Sequence, residues 1–551
     1  MKIIKSSLLL CSLSVGISLP HAVFSSEQEL EKKIEALNVE INSLKTKSER
    51  SMDTWLMIGG DFRFRVDGLG AESKVYTNAN MTFDNAYANA VAADVAGNTQ
   101  ANVSGFNTFA KNMKLVSGYA ESKNFLANNA AMLAGMGAAA QQVAAYKPKN
   151  ETLYTNRAGF DLHAKATKDV TVNARLVAYK TFGVNDDQAV TGSGNPPFFA
   201  DRVGVFDGTT GHVPSSSGLS IDRAYATWSN IAEQPLWFSV GRRPSTNGSP
   251  THLKLNNPAP GNGGTPALLV DYAFDGMTVG IAPDIDKLPG AYAKFCYGRG
   301  YESGISKPTG NSLKDTDMIG VAIVPVDTDP LRIHLQWNRG SNIFDFPTMD
   351  GTYFGNTSPS VQLGSIDWFG TGVLSTLKNV GPGTLNLFAE IAMSRTRANN
   401  NVSGNAGFQG LLTGSFLNPE APSNKTGEAV YLGMRYDLAS LTKLGFEYNR
   451  GTKNWITFAP AADDMWTSKA GVRGDVYETY IIQELGFKPL SSYHSKAFFK
   501  LGYQYYNFEY TGSNNWVGAP KKIDDLAATD MQLMTPLKTA HNIYGTFEVK
   551  F

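Results

Sequence analysis

From about residue 55 to the C-terminus, apolar and polar residues alternate with a period of two in one short run after another. Phe62, Phe64 and Val66 alternate with Asp61, Arg63, Arg65 and Asp67. Ala158, Phe160, Leu162 and Ala164 alternate with Arg157, Asp161, His163 and Lys165. Similar runs follow at Leu385–Met393, Val430–Tyr436, Leu444–Tyr448 and Phe499–Tyr505. Successive side chains of a strand point to opposite faces, so each run is a strand with one apolar and one polar face. The last strand is the clearest. Ile543, Gly545, Phe547 and Val549 lead to a terminal Phe551, with Asn542, Tyr544, Thr546, Glu548 and Lys550 between them. An aromatic terminus on such a strand matches the insertion signal of outer-membrane barrels. So many strands, with ionised residues on one face and rings at the ends, predict an all-β transmembrane antiparallel barrel over 55–551.

The connections alternate between short and long. Short turns are expected at Thr167–Asp169, Asp275-Gly276, Val326–Pro330, Val380–Gly383 and Ala439–Thr442. Asp275-Gly276 has the composition of a tight type I′ hairpin turn. Long connections fall at 68–153, 182–218, 244–266, 340–360, 397–426, 452–474 and 511–540. With both ends of the barrel on one rim the strand number is even. Pro283 and Pro289 blur the pattern between 277 and 316, leaving 16 or 18 strands.

The start of the chain has a different period. Lys2 and Lys5 precede an apolar stretch from Leu8 to Leu19, and Val23-Phe24-Ser25 suits a cut after Ser25. Residues 1–25 therefore form a secretory signal peptide. Leu10 is too bulky before Cys11 for a lipoprotein signal. Leu30, Ile34, Leu37, Ile41 and Leu44 then repeat at spacings of 4, 3, 4 and 3, an a/d heptad seam over 27–50. It is too short to stand alone. Either it joins barrels that already associate, a homo-trimer being favoured, or it is a lone amphipathic helix lying on the barrel or membrane.

Composition narrows the class. Charged residues make up 18% of the chain, aromatics 11%, and there are 54 glycines in 551 residues. Ordinary soluble proteins carry ~25% charged residues, so this chain is unusually poor in them. With the leader removed, 47 bases face 49 acids, which points away from nucleic acid. Cys296 is then the lone cysteine, so no disulfide framework or haem-attachment motif is available. No cofactor is expected. Calcium in the loops is the open option, through the acidic pairs Asp186-Asp187, Asp463-Asp464, Asp524-Asp525 and Asp284 with Asp286. No metal-ligand set is assigned.

Two long connections carry functional information. Within 68–153, residues 125–146 are alanine-rich and helix-favouring, with Met132, Leu133, Met136 and Val143. That segment either tucks into the lumen or caps the mouth, or the insert is an irregular Asn/Ala-rich loop. The connection 244–266 follows the fifth strand and is the candidate constriction loop. It has no Asp or Glu, carries His252 and Lys254, and is rich in glycine and proline.

Ser239-Val240-Gly241-Arg242-Arg243-Pro244-Ser245-Thr246-Asn247-Gly248 and Pro266–Gly276, which includes Asp271-Tyr272-Ala273-Phe274-Asp275-Gly276, resemble an uncharacterised family of bacterial outer-membrane porins. Gly60-Asp61-Phe62-Arg63-Phe64-Arg65 after a coiled-coil stub, Asp222-Arg223-Ala224-Tyr225 and Tyr297-Gly298-Arg299-Gly300 are similar to its other recurring pieces. The resemblance covers most of the chain after residue 26. It implies a barrel with a channel-like role and no assigned substrate.

The function expected is a water-filled diffusion channel for small ions or polar solutes. The alternatives are the barrel sheath of a porin–cytochrome electron conduit, or an outer-membrane hydrolase or adhesin. No G-x-S-x-G elbow and no H-E-x-x-H helix is present, so the chain is read as no enzyme. The expected surroundings are outer-membrane lipid of a Gram-negative bacterium and possible periplasmic or cytochrome partners. Candidate pore-lining residues are Asp61, Arg63, Arg65, Arg157, Arg175, Arg223, Arg243, Lys254, Glu447 and Lys500. In the first five strands Lys165 adds to the inward bases, against inward Asp61, Asp67 and Asp161. An arginine wall facing an acid-free loop predicts a weak anion preference, with Glu390, Glu447 and Glu548 on the far wall opposing it.

Overall fold

The computed structural model describes residues 55–183, 214, 218–243, 248–260, 268–270, 272–305, 313–345, 349–352, 355–357, 359–459, 463–490 and 495–551. The chain divides into two compact units, Met1–Trp55 and Leu56–Phe551. The leader and the heptad residues Leu30, Ile34, Leu37, Ile41 and Leu44 lie outside the described residues, as do Asp186 and Asp187.

The second unit is a closed barrel of sixteen antiparallel strands. In chain order around the ring they are β1 Leu56–Ser73, β2 Lys149–Lys165, β3 Val170–Thr181, β4 Ser220–Trp228, β5 Leu236–Arg242, β6 Asp275–Ile281, β7 Tyr292–Tyr301 and β8 Thr316–Asp327. The ring continues with β9 Arg332–Phe344, β10 Gln362–Val380, β11 Gly383–Ala398, β12 Thr426–Leu438, β13 Thr442–Gly451, β14 Gly474–Glu484, β15 Lys496–Phe508 and β16 Leu537–Lys550. β1 closes the ring, with Phe62 opposite Ala158 of β2 on one side and Val549 of β16 on the other.

The alternation in the sequence is the inside–outside alternation of the wall. Ile543 is 55% exposed, whereas its neighbour Tyr544 is 0% exposed. Phe62, Phe446, Phe499 and Leu501 point outwards, while Arg63, Glu447 and Lys500 point inwards. Polar backbone groups in a closed ring are all paired, which lets such a wall face hydrocarbon.

One expectation about the connections is narrowed and another is corrected. The blurred region 277–316 contains β7 and the turn 282–291 with its prolines, which fixes the strand number at sixteen. Asp275-Gly276 is not a hairpin turn. It opens β6, with Asp275 opposite Arg242 and Arg299, and Gly276 between Gly241 and Gly298. The glycine serves close approach, because a Cβ there would run into the Tyr297 carbonyl.

The insert between β1 and β2 is ordered and helical. β1 and β2 extend beyond the expected limits, so the insert is 74–148 rather than 68–153. It holds α1 Ala79–Gly97, α2 Ala101–Leu115, α3 Tyr119–Asn128 and α4 Ala130–Ala138. Only the last two fall where helix was expected. The side chain of Asn78 caps α1 by accepting from the Met81 amide, and Asn98 ends it in the left-handed region with φ 46°. Phe83, Phe106, Phe109, Met113 and Met136 pack with Val402, Phe408 and Phe416 of the connection between β11 and β12. The insert is therefore a cap on that connection at the long-loop end of the barrel.

Candidate channel lumen

Two long connections fold into the barrel. The first follows β5, as expected. Its short helix α5, Thr251–Lys254, is buried and reaches strands across the ring. The Lys254 ammonium lies 2.6 Å from Glu478 of β14 and 3.8 Å from Asp464. Arg435 of β12 donates to the Leu253 carbonyl at 2.6 Å, and Lys500 of β15 to the Lys254 carbonyl at 3.3 Å. Lys550 of β16 donates to the Leu255 carbonyl and to Asn257, both at 2.5 Å. A segment without acids is thus held through its backbone carbonyls by Arg435, Lys500 and Lys550 and through Lys254 by Glu478.

The second inward segment, 452–473 between β13 and β14, was read as an ordinary long loop. Its Asp463 lies 2.5 Å from Arg63 and 3.8 Å from Arg65. Asp464 accepts from Gln504 at 2.7 Å and from the Lys469 amide at 2.9 Å. The Lys469 ammonium contacts Glu447 and lies 2.6 Å from Glu478. Burial works against the charge on Lys469, but these two glutamates outweigh it and hold its pKa well above the usual lysine range. Arg63 and Arg65 likewise outweigh the burial of Asp463 and keep it ionised. Trp455 and Phe458 of this segment pack with Trp368, Leu269 and Trp516. Their rings form an aromatic core at the long-loop end of the barrel. Arg473 donates to the carbonyls of Trp455, Thr511, Gly512 and Asn515, which ties this segment to the last long connection.

These contacts revise the arginine wall. Arg63 is 1% exposed and Arg65 0%, and Arg65 is also paired with Asp67 at 2.6 Å. Arg157 lies 3.2 Å from Asp61. Arg175 pairs with Asp61 and, at 2.5 Å, with Asp161, and Arg223 lies 3.2 Å from Asp222. The expected imbalance between an arginine wall and an acid-free loop is absent here, because Asp61, Asp67, Asp161 and Asp222 of the wall and Asp463 of the other inward segment meet these arginines. The far wall is balanced too. Glu447 is met by Lys469, and Lys500 lies 3.0 Å from Glu548. Glu390 is buried beside His334, at 3.8 Å. Both members of the pair Asp463-Asp464, considered for calcium, face cations.

Below the inward segments, at the short-turn end, is a cavity of about 1300 Å³. Its lining includes Arg243, Lys294, Arg332, Lys378, Arg435, Lys443 and Lys496, against Asp327, Asp329, Asp437 and Glu484. Seven cations face four carboxylates. His252 and His163 also line it. Burial, with Arg435 and Arg332 adding to it, pushes the His252 pKa down to about 3, so its ring is neutral at pH 7. A second cavity of about 630 Å³ lies at the long-loop end, lined by Tyr76, Tyr272, Trp466 and Arg473 among others, and shares no lining residue with the first. Sequence reasoning found Arg243 for the first cavity. It missed Lys294, which sits where prolines blur the alternation, and Arg332, which opens β9 just after a short turn.

The model of one protein family, described as Protein of unknown function (DUF3373), matches residues 147–551. The chain belongs to this DUF3373 family. The matched part begins just before β2, so β1 and the helical cap precede it. No curated protein matches the chain. Among solved structures, this DUF3373 chain is similar to OmpT of Vibrio cholerae in its trimer form, with 11% identity over 90% of this chain and 99% of that one, at a TM-score of 0.37. It is similar to an anion-selective porin from Comamonas acidovorans, with 10% identity over 90% and 99% and a TM-score of 0.39. It is also similar to OprB of Pseudomonas putida at high pH, with 9% identity over 91% and 95% and a TM-score of 0.41.

Proposed function

We propose that the chain forms a porin-type diffusion channel in the outer membrane of a Gram-negative bacterium, conducting small ions or polar solutes with a weak anion preference. The observation that carries this reading is the cavity at the short-turn end, where seven cations face four carboxylates inside a barrel with an apolar exterior. A low-dielectric wall focuses the field of such an excess into the aqueous path. The short-turn rim carries both ends of the barrel and is the periplasmic one in this reading. The leader over 1–25 sends the chain out, and the heptad segment 27–50 joins barrels, with a trimer favoured, through Leu30, Ile34, Leu37, Ile41 and Leu44. The inward segments argue against the cytochrome-sheath alternative, which needs a lumen free of constriction. His163, bonded to Asn173 at 2.6 Å, and the buried His334 are read as wall rather than as catalytic groups. Purified protein in a planar bilayer under a tenfold salt gradient should show conductance steps and a zero-current potential of the sign for anions. A potential of the opposite sign would overturn the preference, and the absence of steps would overturn the channel.

A further inference from the structure

We propose that the short-turn cavity contains a binding site for a small organic carboxylate with an aromatic body, centred on the guanidinium of Arg243. This narrows the anion preference proposed above to one class of anion and rests on that reading. Neighbouring guanidiniums in the cavity have carboxylate partners: Arg332 lies 3.6 Å from Asp327, and Arg435 is bonded to Asp437 through two nitrogens at 2.7 Å. Arg243 has none among the described residues. Its Nε donates to Ser239 Oγ at 2.9 Å and its Nη1 to Thr278 Oγ1. Both partners are neutral, and both are 1% exposed. They fix the plane of the guanidinium from behind and leave Nη2 with no hydrogen-bond partner among the described residues. A planar, pre-oriented guanidinium with a full charge and a free edge suits a carboxylate.

The surroundings supply the rest of the recognition. Lys294 and Arg332 line the same cavity on β7 and β9, so the carboxylate meets an excess of positive charge. His252 on the inward segment is 4% exposed, and its Nδ1 has no hydrogen-bond partner. A buried ring nitrogen left unpaired costs free energy that a polar ligand atom can recover. The Trp237 ring lies against Arg243, 5.8 Å from centroid to guanidinium carbon. Tyr225 and Tyr292 add further rings to the lining. Rings beside a cation favour an organic anion with a flat apolar body over a bare inorganic one.

The test uses the full-length protein in detergent micelles, with sodium benzoate as the probe followed by calorimetric titration. Saturable benzoate binding at millimolar concentration or tighter is expected, with benzyl alcohol and inorganic phosphate each at least tenfold weaker. Arg243→Gln should weaken benzoate at least tenfold. Arg243→Lys should recover only part of that loss, since it restores charge without the planar edge. Trp237→Leu should narrow the gap between benzoate and acetate. Heat-modifiability on gels checks that each variant folds. If Arg243→Gln does not fold, the three wild-type titrations and Lys294→Gln still decide. Benzoate binding equal to that of benzyl alcohol, or unchanged by Arg243→Gln, would overturn the site. Conductance without benzoate binding would overturn the site and leave the channel. Benzoate binding without conductance would support the site while overturning the channel reading.

Discussion

The two sides of the lumen use arginine and lysine in opposite ways. On the side of β1–β3 and β13–β16, Arg63, Arg65, Arg157, Arg175 and Lys500, with Lys254 and Lys469 of the inward segments, each meet a carboxylate. Arg63, Asp463, Lys469, Glu478 and Lys254 belong to one locked network. On the side of β5–β9, Arg243 meets hydroxyls and a ring at the edge of the cavity of about 1300 Å³, which Lys294 and Arg332, the latter beside Asp327, also line. An inward-pointing cation is therefore not by itself part of a passage. What decides its role is whether a carboxylate meets it, from the wall or from an inward connection. The locked side holds the inward segments in place, and the open side is the one that would act on solutes in the proposed channel.

Breaking the locked side should have the largest effect. Glu478→Gln leaves Lys254 and Lys469 with a weakened partner and disturbs the bond from the Tyr544 hydroxyl at 2.7 Å. Removing one partner of a buried pair costs about 3–5 kcal/mol. Denaturation in detergent should show Glu478→Gln and Asp463→Asn destabilised on that scale. Arg243→Gln, on the open side, should stay within about 1 kcal/mol of the wild type because no carboxylate loses its partner there. Comparable losses on both sides would erase the distinction.

Removing the helical cap should matter less to the barrel. The insert leaves and returns through neighbours, with the Asn78 amide donating to the Gln141 carbonyl at 2.9 Å. Replacing 79–140 by a short turn should leave a heat-modifiable barrel with a lower unfolding midpoint, because Val402, Phe408 and Phe416 lose their cover. Loss of the barrel itself would show that the cap is needed for folding.

The smallest expected effect is on pH. His252 is held neutral down to about pH 3 in the folded segment. A released histidine takes up a proton near pH ~6.5. Its pKa is lowered by folding, so its contribution to anchoring the segment is complete above about 6.5 and is lost progressively as pH falls towards 3. Burial is the main cause, Arg435 on β12 and Arg332 on β9 add to it, and the backbone of Gly248 works against it. Stability curves of the wild type and His252→Asn should diverge only on the acid side of neutrality. Parallel curves would contradict the assignment.

Much of the wall was legible in the sequence, because a strand facing lipid on one side and polar groups on the other writes its register into every second residue. β1, β13, β15 and β16 follow the expected alternation residue by residue. The inward course of 248–260 was legible in its place after the fifth strand and in its lack of acids. The inward course of 452–473 was not recognised, although Trp455, Ile456, Phe458 and Trp466 are costly residues for a surface loop. The partners of the arginines could not be read at all, since Arg63 and Asp463 are 400 residues apart. α1 was missed because its apolar residues are spread around the helix instead of forming a stripe.

The central claim is that charge selection belongs to the open side of the lumen. It is tested most directly by the zero-current potential in a planar bilayer under a tenfold salt gradient, for the wild type, Arg243→Gln and Arg157→Gln. Arg157 also points inwards, but it is paired with Asp61. The account predicts an anion-preferring potential for the wild type, a clear shift towards cations in Arg243→Gln and a smaller one in Arg157→Gln. A larger shift in Arg157→Gln than in Arg243→Gln would contradict it.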